Sequence, residues 1–114
     1  MSGKDVVKLA KKLVGKPFLM NGASPKGFDC SGLVVYCYKQ AVNKNLPHST
    51  KELLKEGKEV KKAQLKEGDL IFPESTYVGI YAGNNLIIYA CSTKNQVIIR
   101  EMFGFYTGRR ILNK

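Results

Sequence analysis

The sequence has little of the chemistry that builds metal sites and disulfide frameworks. Its 114 residues include one histidine and three cysteines, and no Cys-x-x-Cys pair occurs. An odd number of cysteines leaves at least one thiol outside any internal disulfide set. One histidine with scattered cysteines also lacks the ligand spacing of a zinc site. We therefore expect no metal and no other cofactor.

Long apolar runs are absent as well. No stretch approaches the roughly 20 apolar residues that a membrane-spanning helix needs. The first fifteen residues are charged and amphipathic, so no secretory signal is visible. Two localisations are therefore expected: secreted or cell-envelope if a leader has been removed, and cytoplasmic otherwise.

Acidic residues are few, with 9 Asp and Glu against 19 Lys and Arg and a net charge of +10. This excess favours a polyanionic partner such as nucleic acid, anionic lipid or an anionic cell-wall polymer. The simpler interpretation is a solvated basic face, and no nucleic-acid-binding motif accompanies the charge, so nucleic acid is not the expected partner. Six lysines are concentrated in one third of the chain: Lys51, Lys55, Lys58, Lys61, Lys62 and Lys66.

What is present is the composition of one folded domain, residues 1–114, with 44% hydrophobic residues. Its first half predicts helices. Ser2 with Asp5 resembles a capping box that opens a first helix, and Ser49 with Glu52 forms a second box. Between them, apolar residues at helical spacing predict a helix whose buried stripe is Cys30, Leu33, Val34, Cys37 and Ala41.

The second half predicts strands. After Gly68 the runs "DLIF", "YVGIYAG", "NLIIYACS" and "QVIIREM" are rich in β-branched and aromatic residues, and "GRRIL" supplies a further strand. Asn84 and Asn85 predict a tight hairpin turn. Helices followed by a series of strands indicate an α+β fold, with helices packed on an antiparallel sheet.

Cys30 is the first candidate for chemistry. It opens the second helix, with Asp29 as a plausible N-cap, and free N–H groups in a first helical turn stabilise a thiolate. Ser31 and Gly32 are small enough to leave room for a substrate. The alternative is that Cys30 is a small apolar residue that opens the core stripe. Position alone does not separate the two interpretations.

Residues 28–40, "FDCSGLVVYCYKQ", are very similar to the nucleophile segment of the NlpC/P60 family of papain-like cysteine peptidases, D-C-S-G-L-V. The segments "LPHSTKELLKEGKEV", "LKEGDLIF" and "YVGIYAGNNLIIYA" resemble the family's "LPRTSxxQxxxGxxV", "LxPGDLVFF" and "HVGIYxGNGxxIHA". The resemblance covers roughly residues 5–100. It implies a papain-like fold, with N-terminal helices on an antiparallel sheet, and hydrolysis of peptidoglycan stem peptides.

The resemblance makes Cys30 the nucleophile and Asp29 its preceding acid, but it does not supply the base. The family's catalytic histidine falls on Tyr77, and the orienting residue, twelve positions further on, falls on Tyr89. A neutral phenol has a pKa near ~10 and does not accept a thiol proton at pH 7 as imidazole does.

The substrate cleft implied by the resemblance includes Phe18, at the family's tyrosine, together with Asp29, Ser31 and His48. Met20 and Asn21 replace the family's tryptophan and the first of its paired glycines. His48, the only histidine, occupies the arginine of the "LPR" segment. It would serve as a relocated base only if its ring reached the nucleophilic sulfur, within ~3 Å.

Two hypotheses from different functional classes follow. The favoured one is a catalytically impaired family member that acts as a binding or regulatory module for a cell-wall peptide, an anionic polymer or a protein partner. The alternative is an active cysteine endopeptidase or amidase on peptidoglycan peptides that uses Cys30 with a non-standard base. Nucleic-acid binding rests on charge alone and is the weakest hypothesis.

Overall fold

A computed structural model describes residues 2–112. Its α-helices are α1 Gly3–Lys12, α2 Cys30–Val42 and α3 Thr50–Leu53, and a short 3₁₀ turn spans Lys62–Gln64. The short strands β1 Ala23–Ser24 and β2 Gly27–Phe28 pair as a small hairpin ahead of α2. The other strands are β3 Lys58–Val60, β4 Leu70–Phe72, β5 Gly79–Gly83, β6 Leu86–Cys91, β7 Gln96–Glu101 and β8 Thr107–Arg110.

Strands β3 to β8 form one antiparallel sheet in the order β3-β8-β4-β5-β6-β7. The last strand along the chain, β8, therefore lies inside the sheet between β3 and β4. Asn84 and Asn85 connect β5 to β6 with φ angles of 51° and 64°. These positive values at both central residues are what a type I′ hairpin turn requires. The predicted α+β architecture, with helices and an antiparallel sheet, is confirmed.

The helices begin where side chains satisfy free backbone groups. The Asp5 carboxylate accepts the backbone N–H of Ser2 at 2.9 Å, and this hydrogen bond lowers the pKa of Asp5. The Ser49 hydroxyl accepts the backbone N–H of Glu52 at 3.3 Å in the first turn of α3. Helix α2 ends at Val42, and the next residue, Asn43, forms the C-cap with a left-handed backbone. Within residues 2–112, no helix has the length and apolar character needed to cross a membrane.

The sheet buries a different set of side chains on each face because alternate strand residues point to opposite sides. In β6, Ile88 and Ala90 belong to the main core, which also contains the buried residues of α1 and α2. Ile87 and Tyr89 belong to a second cluster, packed with Phe105 from the segment after β7. Tyr89 therefore lies on the face of the sheet that points away from α2.

Helix α1 rests directly on the backbone that leads into β4. A Cβ atom added to Gly3 would lie 1.9 Å from the carbonyl oxygen of Glu67, so glycine is required for this approach. Gly68 has a φ of 95°, which also favours glycine. The hydroxyl of Tyr38, a residue of the main core, donates a hydrogen bond to the carbonyl of Gly68. This contact between α1 and the 65–69 segment is called the glycine seam below.

Candidate active site

Asp29 is the residue around which the loops of the site are assembled. Its Oδ1 atom accepts the backbone N–H of Gly32 at 2.7 Å and so caps the first turn of α2. Its Oδ2 atom accepts the backbone N–H of Asn21 at 3.0 Å, which fixes the preceding loop. The Ser31 hydroxyl at 3.4 Å and the His48 ring at 2.9 Å are further partners of Oδ1. The expectation that Asp29 is the N-cap of α2 is confirmed.

Cys30 is the first residue of α2 and is half-buried against the main core. Its sulfur lies 3.5 Å from the hydroxyl oxygen of Thr50, the first residue of α3. Thr50 is not among the residues predicted for the site. Its only signal was its place directly after the Ser49 cap, which predicts a helix start but not that this helix start meets the thiol.

His48 is partly exposed and directs its Nε2 atom to Asp29 rather than to sulfur. Asp29 and His48 form an ion pair only when the imidazole is protonated, and a neutral ring donates or accepts according to its tautomer. Across residues 2–112, the hydrogen-bond partner of the Cys30 sulfur is the Thr50 hydroxyl. His48 therefore contacts the site through Asp29, the N-cap of α2, and not through the Cys30 sulfur.

Tyr77 and Tyr89 lie together at a small cavity. Both line a cavity of about 190 Å³ together with Cys91, Ser92, Thr93 and Phe103. Tyr77 lies just ahead of β5 and is 38% exposed, whereas Tyr89 is 6% exposed within β6. The ring centroids of Tyr89 and Phe103 are 5.2 Å apart. The two positions that the resemblance pairs as base and orienting residue are thus neighbours in the fold.

The Tyr89 phenol is poorly suited to exchange a proton near neutral pH. Burial is the main cause that raises the pKa of Tyr89 from 10.0 to about 12, and a hydrogen bond with Cys91 adds to the effect. Because the phenol stays protonated at pH 7, it can donate a hydrogen bond but cannot act as a general base.

The remaining cleft positions differ in accessibility. Ser31 is buried, and Phe18 packs half-buried against the main core while its backbone N–H donates to Asn95 at 3.1 Å. Met20 is 73% exposed. Asn21 adopts a φ of 64°, a left-handed conformation that asparagine tolerates better than most residues. Asn21, which stands where the family pattern has a glycine, therefore adopts a backbone conformation that glycine also favours.

The three thiols have different surroundings. Cys37 is fully buried in the main core, where burial raises the pKa of its thiol to about 12. Cys91 ends β6, and its sulfur accepts the backbone N–H of Lys94 at 3.4 Å. All three cysteines are free. Among the residues that the structure describes, no group of three metal-binding side chains comes together.

Comparison with known proteins gives concordant matches. The model of the NlpC/P60 family matches residues 15–114. The chain is 35% identical over 105 residues to the murein DD-endopeptidase MepH of Escherichia coli, covering 84% of this chain and 39% of that protein. It is 37% identical over 100 residues to the gamma-DL-glutamyl hydrolase of Bacillus subtilis, covering 82% and 24%. The chain spans less than two thirds of the length of these curated relatives.

Solved structures agree with the sequence matches. The NlpC/p60 domain of the peptidoglycan hydrolase SagA superposes with a TM-score of 0.90 at 28% identity, covering 96% of this chain and 99% of that one. The peptidoglycan hydrolase RipB of Mycobacterium tuberculosis gives a TM-score of 0.89 at 27% identity, with coverages of 98% and 65%. These superpositions cover 96% and 98% of this chain and therefore include nearly all of its helices and its sheet.

Proposed function

Since the chain belongs to the NlpC/P60 family of peptidoglycan hydrolase-like domains, we propose that it binds peptidoglycan stem peptides while hydrolysing them poorly or not at all. In this proposal Cys30 occupies the nucleophile position of the cleft. Asp29 and Ser31 shape the backbone around it, and Phe18 and His48 border the bound peptide. Tyr77 and Tyr89 occupy the base and orienting positions as hydrogen-bond donors.

The observation that carries the proposal is the identity of the partner of the Cys30 sulfur. Within residues 2–112 that partner is the Thr50 hydroxyl, and the only histidine of the chain is engaged with Asp29. A hydroxyl does not take up a thiol proton near pH 7. Loss of a positioned general base costs on the order of 100- to 10,000-fold in rate.

The names of the relatives support the choice of ligand. The matched proteins include a murein endopeptidase and a peptidoglycan hydrolase, which supports a peptidoglycan peptide as the ligand class of this chain. The positive net charge of this chain adds long-range attraction toward an anionic cell-wall polymer, which predicts binding that weakens as salt rises.

The test compares binding with turnover on the same purified domain. A stem peptide containing the D-glutamyl linkage is titrated by calorimetry into the wild type and the Cys30→Ala variant, and the products are followed by liquid chromatography. We expect similar binding by both proteins and little or no cleavage by the wild type. Cleavage by the wild type at the rate of an active family member, lost in Cys30→Ala, would overturn the impairment. Absence of binding by both proteins would overturn the ligand assignment.

One observation favours the alternative, an active cysteine endopeptidase or amidase. Cys30 stands at the N-terminus of α2, where backbone N–H groups stabilise a thiolate, and the Thr50 hydroxyl can donate a hydrogen bond to that thiolate. In such an enzyme the thiol proton would pass to solvent before attack on the peptide carbonyl. Cleavage that rises steadily with pH and depends on Cys30 would favour this alternative.

A further inference from the structure

A second cavity lies at the glycine seam, between α1 and the 65–69 segment. It has a volume of about 660 Å³ and is bounded by the first turn of α1, the 65–69 segment, the end of β5 and the turn after it. Its lining includes neither Cys30 nor the two tyrosines of the candidate active site. Small-molecule sites commonly measure about 300–1,000 Å³, so the cavity has the size of a ligand site.

The walls of this cavity are held by specific contacts. Gly3 and Gly68 allow α1 to touch the 65–69 backbone, and the Tyr38 hydroxyl holds the Gly68 carbonyl from the core side. The Asp69 carboxylate accepts the Lys66 backbone N–H at 2.8 Å and forms a bidentate pair with Arg110 at 2.8 and 2.9 Å. These contacts indicate a preformed concave surface.

The charges that remain around the cavity are mainly positive. Lys4, Lys11 and Lys66 line it, are exposed, and form no ion pair within the part of the chain that the structure describes. Two carboxylates also line it, but Asp69 is neutralised by Arg110, which leaves Glu67 as the one unpaired acid of the described lining. The cavity therefore presents an excess of two positive charges to a ligand.

We propose that the cavity at the glycine seam is a binding site for a small ligand that carries a phosphate-type dianion. A compact dianion matches the excess of two charges, and lysine ammonium groups form strong charge-assisted hydrogen bonds with phosphate oxygens. The concave shape favours a small molecule over a long polymer, which would instead follow the exposed lysines across an open face. The site does not depend on hydrolysis at Cys30.

The experiment uses inorganic phosphate and pyrophosphate as probes. Each is titrated into the ¹⁵N-labelled domain at fixed ionic strength, with chloride as the monovalent control. We expect saturable shifts of the amide signals of Gly3, Lys4, Glu67 and Gly68 with phosphate and pyrophosphate but not with chloride. No saturable shift with either probe, or equal shifts with chloride, would overturn the proposal.

A matched pair of triple variants separates the cavity from the general basic charge. The test variant carries Lys4→Gln, Lys11→Gln and Lys66→Gln. The control variant carries Lys8→Gln, Lys12→Gln and Lys62→Gln, which remove the same charge from exposed lysines of α1 and the 62–64 turn that do not line the cavity. We expect the test variant to lose about tenfold or more in affinity and the control variant less than about twofold. Equal losses in both variants would assign the binding to net charge and contradict the proposed site.

Discussion

The Nε2 atom of His48 lies 2.9 Å from Oδ1 of Asp29, so the only imidazole of the chain is a partner of the carboxylate that caps α2. The residue next to Asp29 is Cys30, whose sulfur contacts a different side chain, Thr50. His48 is therefore hydrogen-bonded to the residue that precedes the nucleophile position, and not to the nucleophile itself. This arrangement gives His48 a structural role at the cleft and not a role in proton transfer with Cys30.

The first prediction concerns His48→Gln. Glutamine keeps a hydrogen-bonding group near Asp29 but cannot act as a base. We expect the rate of Cys30 alkylation by iodoacetamide at pH 7 to change by less than about twofold, whereas loss of a general base costs about 100-fold or more. Stability should fall by roughly 1 kcal/mol or less, because the pair is partly exposed. A hundredfold decrease in alkylation would make His48 the base after all.

The second prediction concerns Thr50. Replacement by valine removes the hydroxyl while keeping the shape of the side chain, so the hydrogen bond to the Cys30 sulfur is lost. Because a donor stabilises a thiolate, we expect the pH profile of Cys30 alkylation to move to higher pH in Thr50→Val and to return in Thr50→Ser. A profile unchanged in both variants would show that the 3.5 Å contact has no influence on the thiol.

The third prediction is a gain of function. Tyr77→His with Tyr89→His restores imidazoles at the two positions that share the small cavity. We expect cleavage of a stem peptide to increase by about 100-fold or more over the wild type, because a general base contributes on that scale. Cys30 is not part of the described lining of this cavity, so the gain also requires the imidazole at position 77 to reach the Cys30 sulfur. Tyr106→His, on a tyrosine that is 61% exposed and outside this cavity, is the matched control. A folded double variant as inactive as the control would indicate that the impairment has another origin.

The fourth prediction concerns stability at alkaline pH. The pKa of Tyr89 is raised from 10.0 to about 12 in the folded protein, chiefly by burial. Its contribution to stability is therefore fully present below pH 10 and declines as pH rises from 10 through 12, because the unfolded chain releases the proton first. Urea unfolding of the wild type should show this decline, and Tyr89→Phe should show a smaller one. Identical pH dependence in both proteins would contradict the shift.

Much of the fold follows from local sequence chemistry. The N-cap at Asp29, the cap at Ser49 and the Asn84-Asn85 turn were each predictable, since the physical cause lies within four residues of the effect. The strand β3 was not predicted. Its residues Lys58–Val60 are mostly polar, and it exists because β8, some fifty residues further on, offers it an edge to pair with.

In the candidate site, too, features with a local cause were predictable and features that depend on distant contacts were not. The positions of Cys30 and Asp29 at a helix start are local and were predicted, and the roles of Tyr77 and Tyr89 came from the resemblance and stay predictions. The contact between Cys30 and Thr50 spans twenty residues, and the orientation of Tyr89 toward the outer face of the sheet depends on strand pairing. Neither has a signal in a single stretch of sequence.

The hydrogen bonds of Asp29 have a consequence for how domains of this kind are sorted. Its carboxylate holds the start of α2 and the loop that contains Asn21, so a chain without hydrolytic activity would still use the acid to stabilise these two segments. The tetrapeptide Asp-Cys-Ser-Gly is therefore a marker of architecture as much as of chemistry. A genome survey that counted enzymes by this tetrapeptide would therefore be counting an architecture, whether or not each chain hydrolyses its ligand.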